Sequence, residues 1–259
     1  MTDHPAASSA AGSEVIGRSQ RLRAILSLTQ GPLTELVSAV WYHPRLGELY
    51  PEFLFAMLGV MRASVPVMCR AADRSSKLEN NPLREELRAY YLEHAAEEEG
   101  HDEWLLEDLA RLGIQRDRAL RRLPYPSIAA LVGIQYYWIK HVHPAAFLGY
   151  LAVLEQPAET AFLHEVHHRT GIPLASMTCH LKHAELDPGH VAEFDAFLDR
   201  LPLTQEQEEL ITVSAIATTS HLERVFADIA EHFDRIENPS LRDSIFTVCE
   251  MPVTAAAIV

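Results

Sequence analysis

Apolar residues recur three and four positions apart over nearly the whole of residues 19–235, and no stretch alternates with the two-residue period of a half-buried strand. A chain with that period can bury its apolar stripes only by packing helix on helix. The expected fold is therefore all-α, a helical bundle in a single domain over residues 19–236, flanked by tails at 1–18 and 237–259. The stretch "RLRAILSLTQ" starts a short helix that Gly31–Pro32 interrupts, and further helices are expected over about 33–42 and 46–72, the latter containing Pro51 and Pro66. Pro82 opens a long helix that Gly113 closes. Others follow over about 127–142, 144–169, 173–187 and 188–200. Thr204 and Gln207 form a capping box for a last helix over about 205–235.

The formal charge of −14 disfavours phosphate backbones and anionic lipid, so neither nucleic acid nor membrane is the expected partner. Three dispersed cysteines, Cys69, Cys179 and Cys249, make no CxxC pair and fit a reducing compartment. The start "MTDHPAASSAAGSE" lacks a secretion signal, and the apolar run "AAFLGYLAVL" is too short to cross a bilayer, so a cytoplasmic protein is expected.

Three interruptions of the apolar stripes carry the chemistry. The first is the stripe Leu87, Tyr91, His94, Glu98, His101, Leu105, Leu109, apolar at both ends and ionisable in the middle. A buried unpaired carboxylate costs several kcal/mol, so it must find a proton, a cation or a metal. Glu98 and His101 have the Glu-x-x-His spacing that aims a carboxylate and an imidazole at one ion. Glu97, four residues before His101, could replace Glu98, and a charged surface helix is the simpler account of the whole stretch.

The second interruption is "HAELDPGH". In a continuous helix His183, Asp187 and His190 fall within roughly 60° of arc, from the 100° step per residue. Asp187–Pro188 could instead be the N-cap and first turn of a new helix. The third is Glu155, on the stripe Leu148, Leu151, Glu155, Phe162 of the most apolar helix. It suits a carboxylate bridging two cations; the alternatives are exposure at the Pro157 turn, or Glu159 in its place. The resulting set of Glu98, His101, Glu155, His183, Asp187 and His190 has three carboxylates, three imidazoles and no thiolate, which suits iron or manganese better than structural zinc.

With "HPRLGELYPEFL", "MRASVP", "HAAEEEGH", "FLGYLAVLE" and "HAELDPGH", the chain resembles the haem-oxygenase-like di-iron oxidases, also called iron-containing redox enzymes, over most of residues 40–232. The resemblance implies a haem-oxygenase-like bundle holding two iron ions, with O2 as co-substrate. It implies that Glu98 and His101 ligate one iron, that His183, Asp187 and His190 ligate the other, and that Glu155 is shared. It implies oxidation of a small organic molecule (an amino acid, an amine or a fatty-acid-like compound) by N-oxygenation, or by C–H abstraction with desaturation or C–C cleavage. An external electron donor and a homodimer are compatible with it. Some members add a carboxylate from an earlier helix, where this chain offers only Asp73.

Arg62, the one charge in residues 53–69 after Glu52, could hold a substrate carboxylate, and Tyr136 with Tyr137 and Trp138 could line a pocket. His94 could be a pocket residue or stand behind a ligand, and a satisfied core histidine is an equal account of it. Two rival readings are a haem-processing or metal-free enzyme on the same fold and a non-catalytic iron-binding helical protein. The first needs an early axial histidine, for which only His43 lies outside the tail, and a glycine-rich helix, which is not visible.

Overall fold

The computed structural model describes residues 16–155 and 159–237, apart from the side chains of Asp187 and residues 233–237. The expected tails lie outside the described residues except at 16–18, where Arg18 already opens α1, and at Glu237, which ends α11. The helices are α1 (Arg18–Thr29), α2 (Gly31–Trp41), α3 (Leu46–Ser75), α4 (Leu83–Glu97), α5 (His101–Arg111), α6 (Arg116–Arg121) and α7 (Pro126–Tyr137). A π turn at Trp138–Val142 and a 3-10 turn at Pro144–Ala146 lead into α8 (Phe147–Leu154), then α9 (Thr160–Thr170), α10 (Thr178–Arg200) and α11 (Gln205–Glu237). No strand occurs among the described residues.

Helix α3 runs through the middle against α4, α5 and α7, while α11 packs on α2, α7 and α8, and α10 lies across α5. The α8–α11 contact is close because Gly149 has no side chain. A Cβ there would stand 2.4 Å from the Ile211 carbonyl oxygen and 2.6 Å from the Ala215 nitrogen. Among the described residues, α3 alone is long and apolar enough to cross a bilayer. Its buried Leu46, Tyr50, Phe53, Leu54 and Val67 belong to the common core, which accounts for that apolarity. The Thr204–Gln207 box forms as expected, with Thr204 N–H donating to Gln207 Oε1 at 2.9 Å and Gln207 N–H to Thr204 Oγ1 at 3.3 Å.

Three expected boundaries are corrected. The helix from Pro82 to Gly113 is two helices, broken at Glu98–Gly100, where Gly100 takes φ +87, a left-handed conformation that ends a helix. The helix expected over 144–169 stops at Leu154, and Glu155 leaves it with ψ 77. Pro157 of the sequence has no N–H with which to continue the ladder. Conversely, the two helices expected over 173–187 and 188–200 are one, α10, which continues through Pro188. Asp187–Pro188 is therefore not the start of a new helix.

The start of α10 is fixed from outside. Asp108 of α5 is fully buried, and its two carboxylate oxygens accept the N–H groups of Thr178 at 3.0 Å and Cys179 at 2.9 Å. A tertiary carboxylate thus does the work of an N-cap and sets how α10 sits on α5. The next residue, His180, is enclosed by Trp41, Tyr50 and Phe53, with ring centroids at 5.6, 6.2 and 5.5 Å, and Nδ1 lies 3.2 Å from the Tyr50 hydroxyl. Burial, with the neighbouring His183, pushes its pKa down to about 4.

Replacing Asp108 with Ala leaves two helix N–H groups without partners and is expected to cost about 2 kcal/mol. The readout is the urea midpoint at unchanged slope. His180 generates a pH dependence. The unfolded chain protonates it near 6.5 and the folded chain only near 4, so stability is complete above 6.5 and is lost as pH falls through that window. Relative to His180→Gln, the metal-free wild type is expected to lose up to about 3 kcal/mol between those pH values, by urea unfolding at each pH.

Candidate metal centre

The break between α4 and α5 brings a carboxylate and an imidazole together. Glu98 is the C-cap of α4, and His101 is the first residue of α5. Their side chains are 12% and 7% exposed, with His101 Nδ1 2.9 Å from Glu98 Oε2. The Trp104 ring stacks on His101 at 3.9 Å and covers it, and Lys182 Nζ lies over the indole at 4.0 Å. From α10, His183 presents its ring 5.1 Å from that of His101. Its Nδ1 donates to the Cys179 carbonyl at 2.9 Å, which leaves Nε2 as a lone-pair donor. One ligand atom from each of Glu98, His101 and His183 lies within 4.8 Å of the others.

A second group adjoins the first. His190, two turns along α10, places Nδ1 4.0 Å from Glu98 Oε1, and its ring lies 5.3 Å from that of His94. His94 Nε2 is 2.6 Å from Glu155 Oε1. Glu155 has left the end of α8 but turns inward: its side chain is 13% exposed, and both carboxylate oxygens are buried without a directed hydrogen bond. The short contact to His94 is thus an ion pair with poor alignment. Glu97 is exposed and reaches only the outer nitrogen of His94, Nδ1, at 3.3 Å, so Glu98 is the inward-facing member of the pair. Glu159 is exposed as the N-cap of α9. Asp187 lies on α10 between His183 and His190, its side chain outside the described residues.

These neighbours set the charge states. Burial alone would raise the Glu98 pKa, but its hydrogen bond to His101 and the nearby imidazoles of His183 and His94 hold it below the ordinary value. Burial would lower that of His94, yet Glu155, Glu98 and Glu97 outweigh it and raise His94 to about 9. His183 is lowered, chiefly by burial. Glu98 is thereby held ionised and His183 keeps a lone pair in a largely dry interior, the state a divalent cation requires of such ligands.

The residues fit iron. Donors on opposite sides of an ion with bonds of about 2.1 Å are about 4.2 Å apart, a span that small side-chain adjustments reach from the observed one. The mixed imidazole and carboxylate set suits iron, and the buried Glu155 oxygens, paired only with His94 and without a directed hydrogen bond, leave lone pairs that a cation could take.

Other expected residues lie elsewhere. Arg62 is half-exposed, 3.9 Å from Asp102, and lines a cleft of about 210 Å3 with Phe55, Arg122 and Leu123, which none of the six expected ligands enters. Tyr136 is exposed on α7, which packs on α3 and α11 rather than on the ligand-bearing helices. Arg62 thus lines a cleft apart from the ligand cluster, and Tyr136 faces outward. His94 does reach the site, against Glu155 rather than a substrate cavity. Sequence reading missed Asp108 and His180, which position α10, and Trp104, which covers His101. The available signal was that Asp108 falls three residues after Leu105 and seven after His101, on the inward stripe of the helix.

Comparison with known proteins agrees with this geometry. No curated protein matches the chain. Among solved structures, it is similar to a domain of unknown function with a haem-oxygenase-like fold from Shewanella denitrificans, at 18% identity and a TM-score of 0.66, covering 85% of this chain and 92% of that one. It is also similar to a TenA homologue from Pseudomonas syringae pv. tomato, at 10% identity and a TM-score of 0.60, covering 90% of this chain and all of the other. Both likenesses establish the fold. The model of the iron-containing redox enzymes matches residues 52–246, three quarters of the sequence and all of the candidate site, and the chain belongs to that family.

Proposed function

We propose that the protein is a non-haem di-iron oxidase or oxygenase that uses O2 to oxidise a small organic substrate in a biosynthetic role. The observation that carries this reading is the convergence of Glu98, His101 and His183 beside a buried Glu155 whose oxygens lack directed hydrogen bonds. Glu98, His101 and His183 would hold one ion, and Glu155 and His190, with Asp187, the second. The chemistry that iron supplies when bound is the reduction of O2 to an oxidant strong enough for N-oxygenation or C–H abstraction. The side chains fix positions and limit water. His183 is oriented by the Cys179 carbonyl, and α10 by Asp108. Phe197 and Tyr90 stack at 4.0 Å beside His94, and Trp104 covers His101, so neither imidazole faces bulk water. Re-reduction between turnovers calls for an external electron donor, and a reducing cytoplasm suits both ferrous iron and the free thiols.

The test is anaerobic Fe(II) titration followed by rapid mixing with O2, watched by absorbance across amino acids, amines and fatty acids. Two equivalents are expected to bind, and one substrate class is expected to change the lifetime of an absorbance transient. Binding without O2 consumption would make the chain an iron-binding protein, and failure to bind two equivalents would remove the proposal. His190→Ala is expected to abolish turnover while helical circular dichroism is unchanged.

A further inference from the structure

The six-residue ligand set leaves out one imidazole that sits inside the site. We propose that His94 is a seventh ligand, whose Nε2 binds the same ion as Glu155 and His190 while Glu97 holds its outer nitrogen. This rests on the iron reading above and adds to it a residue that the family resemblance does not carry over.

The geometry is that of a metal-binding histidine. Such a residue generally presents one ring nitrogen to the ion and anchors the other on a carboxylate or carbonyl, which fixes the ring and raises its basicity. His94 Nδ1 is 3.3 Å from the exposed Glu97, and Nε2 points inward, 2.6 Å from Glu155 Oε1. His183 uses the same device through the Cys179 carbonyl at 2.9 Å. His94 is 4% exposed, and its ring lies parallel to and offset from that of Tyr90, with centroids 5.8 Å apart and an interplanar angle of 4°. Across the site, the His190 ring stands edge-on at 5.3 Å.

Two other roles fit less well. A substrate-binding histidine would turn its polar edge toward a cavity, whereas this one turns it to a buried carboxylate. A purely structural ion pair would align its proton with an oxygen, yet neither Glu155 oxygen takes a directed hydrogen bond. Neighbouring ligands of one ion with bonds of about 2.1 Å stand about 3.0 Å apart, so a small separation of this pair gives both atoms access to a common ion. The inference also explains a sequence feature. Three consecutive glutamates follow "HAA", and the first two divide the work: Glu97 braces His94 from outside, and Glu98 turns in to the ions.

The full chain, freed of metal, is titrated anaerobically with Co(II), read by visible absorbance and by the hyperfine-shifted exchangeable imidazole protons in proton NMR. Wild type is expected to take two equivalents and to show four such protons, from His94, His101, His183 and His190. His94→Ala is expected to keep the first equivalent, to bind the second about 30-fold more weakly and to lose one proton signal. Glu97→Gln, a surface change, is expected to weaken the second equivalent about tenfold with all four signals retained. If His94→Ala is not helical by circular dichroism, the wild-type proton count and Glu97→Gln decide. Two equivalents in wild type with only three imidazole protons, or unchanged second-site affinity in a folded His94→Ala, overturns the assignment of His94 alone. Fewer than two equivalents in wild type overturns the di-iron reading and this assignment with it.

Discussion

The contact on which the site depends is the buried carboxylate of Asp108 against the first N–H groups of α10. A helix N-terminus leaves its first N–H groups without partners inside the helix, and it carries partial positive charge. In α10 the N-cap residue is Met177, which has no oxygen to offer, so the partner must come from another element. Asp108 supplies it from the inward face of α5, two turns after His101. The same two helices carry the two imidazoles that face each other, and the clamp at their base sets the distance between those rings. Burial raises the Asp108 pKa, and the bonds from Cys179 and Thr178 oppose that rise. The carboxylate is tolerated there because the helix end is its counter-charge.

The centre meets the same constraint. Glu98 and Glu155 are both nearly out of solvent, and a buried carboxylate is unstable without compensation. The protein provides partial compensation by surrounding the pair with His94, His101, His183 and His190. Satisfaction is incomplete at Glu155 and close to complete at Asp108, Glu52 and Asp199, each of which accepts from named donors. That contrast separates carboxylates that staple the bundle from one whose oxygens take no directed hydrogen bond. Glu52 is the instructive counter-case. It too is a buried glutamate on an apolar helix, but Arg122, Tyr125 and His232 surround it.

Sequence periodicity carries the fold class well because almost every buried side chain lies on a three-four stripe, from Leu83, Leu87 and Tyr91 in α4 to Phe194, Phe197 and Leu201 at the end of α10. It carries the inward direction of Glu98 for the same reason. The breaks were less legible. Gly100 reads as one more residue of a strongly helical stretch, and only its left-handed φ shows that the helix ends there. Pro188 reads as a breaker, yet α10 passes through it, with the helix anchored at its base by Asp108 and at its far end by Phe194, Phe197 and Leu198 in the core. Arg62 and Tyr136 were assigned from composition alone, since a lone cation in an apolar helix, or an aromatic run, does not report which way the side chain points. Their placement was decided by partners distant in sequence, Asp102 for the one and the α7–α11 packing for the other.

Those breaks also explain where the carboxylates sit. Glu98 follows the last turn of α4, and Glu155 follows the last turn of α8. The C-terminal end of a helix carries about half a negative charge from its unpaired carbonyls. A carboxylate there is placed against its own electrostatic preference, whereas a cation is favoured. Two such ends meeting in one interior reinforce each other, and the field they create is one that a divalent ion relieves. A protonated His94 in the last turn of α4 relieves part of it without an ion, in keeping with its pKa near 9. The two ends differ in backbone: Glu98 keeps near-helical φ and ψ with its N–H bonded to the His94 carbonyl, whereas Glu155 has left them with ψ 77. His183 and His190 face these carboxylates from the continuous α10, so two imidazoles on one uninterrupted helix meet two carboxylates at helix ends.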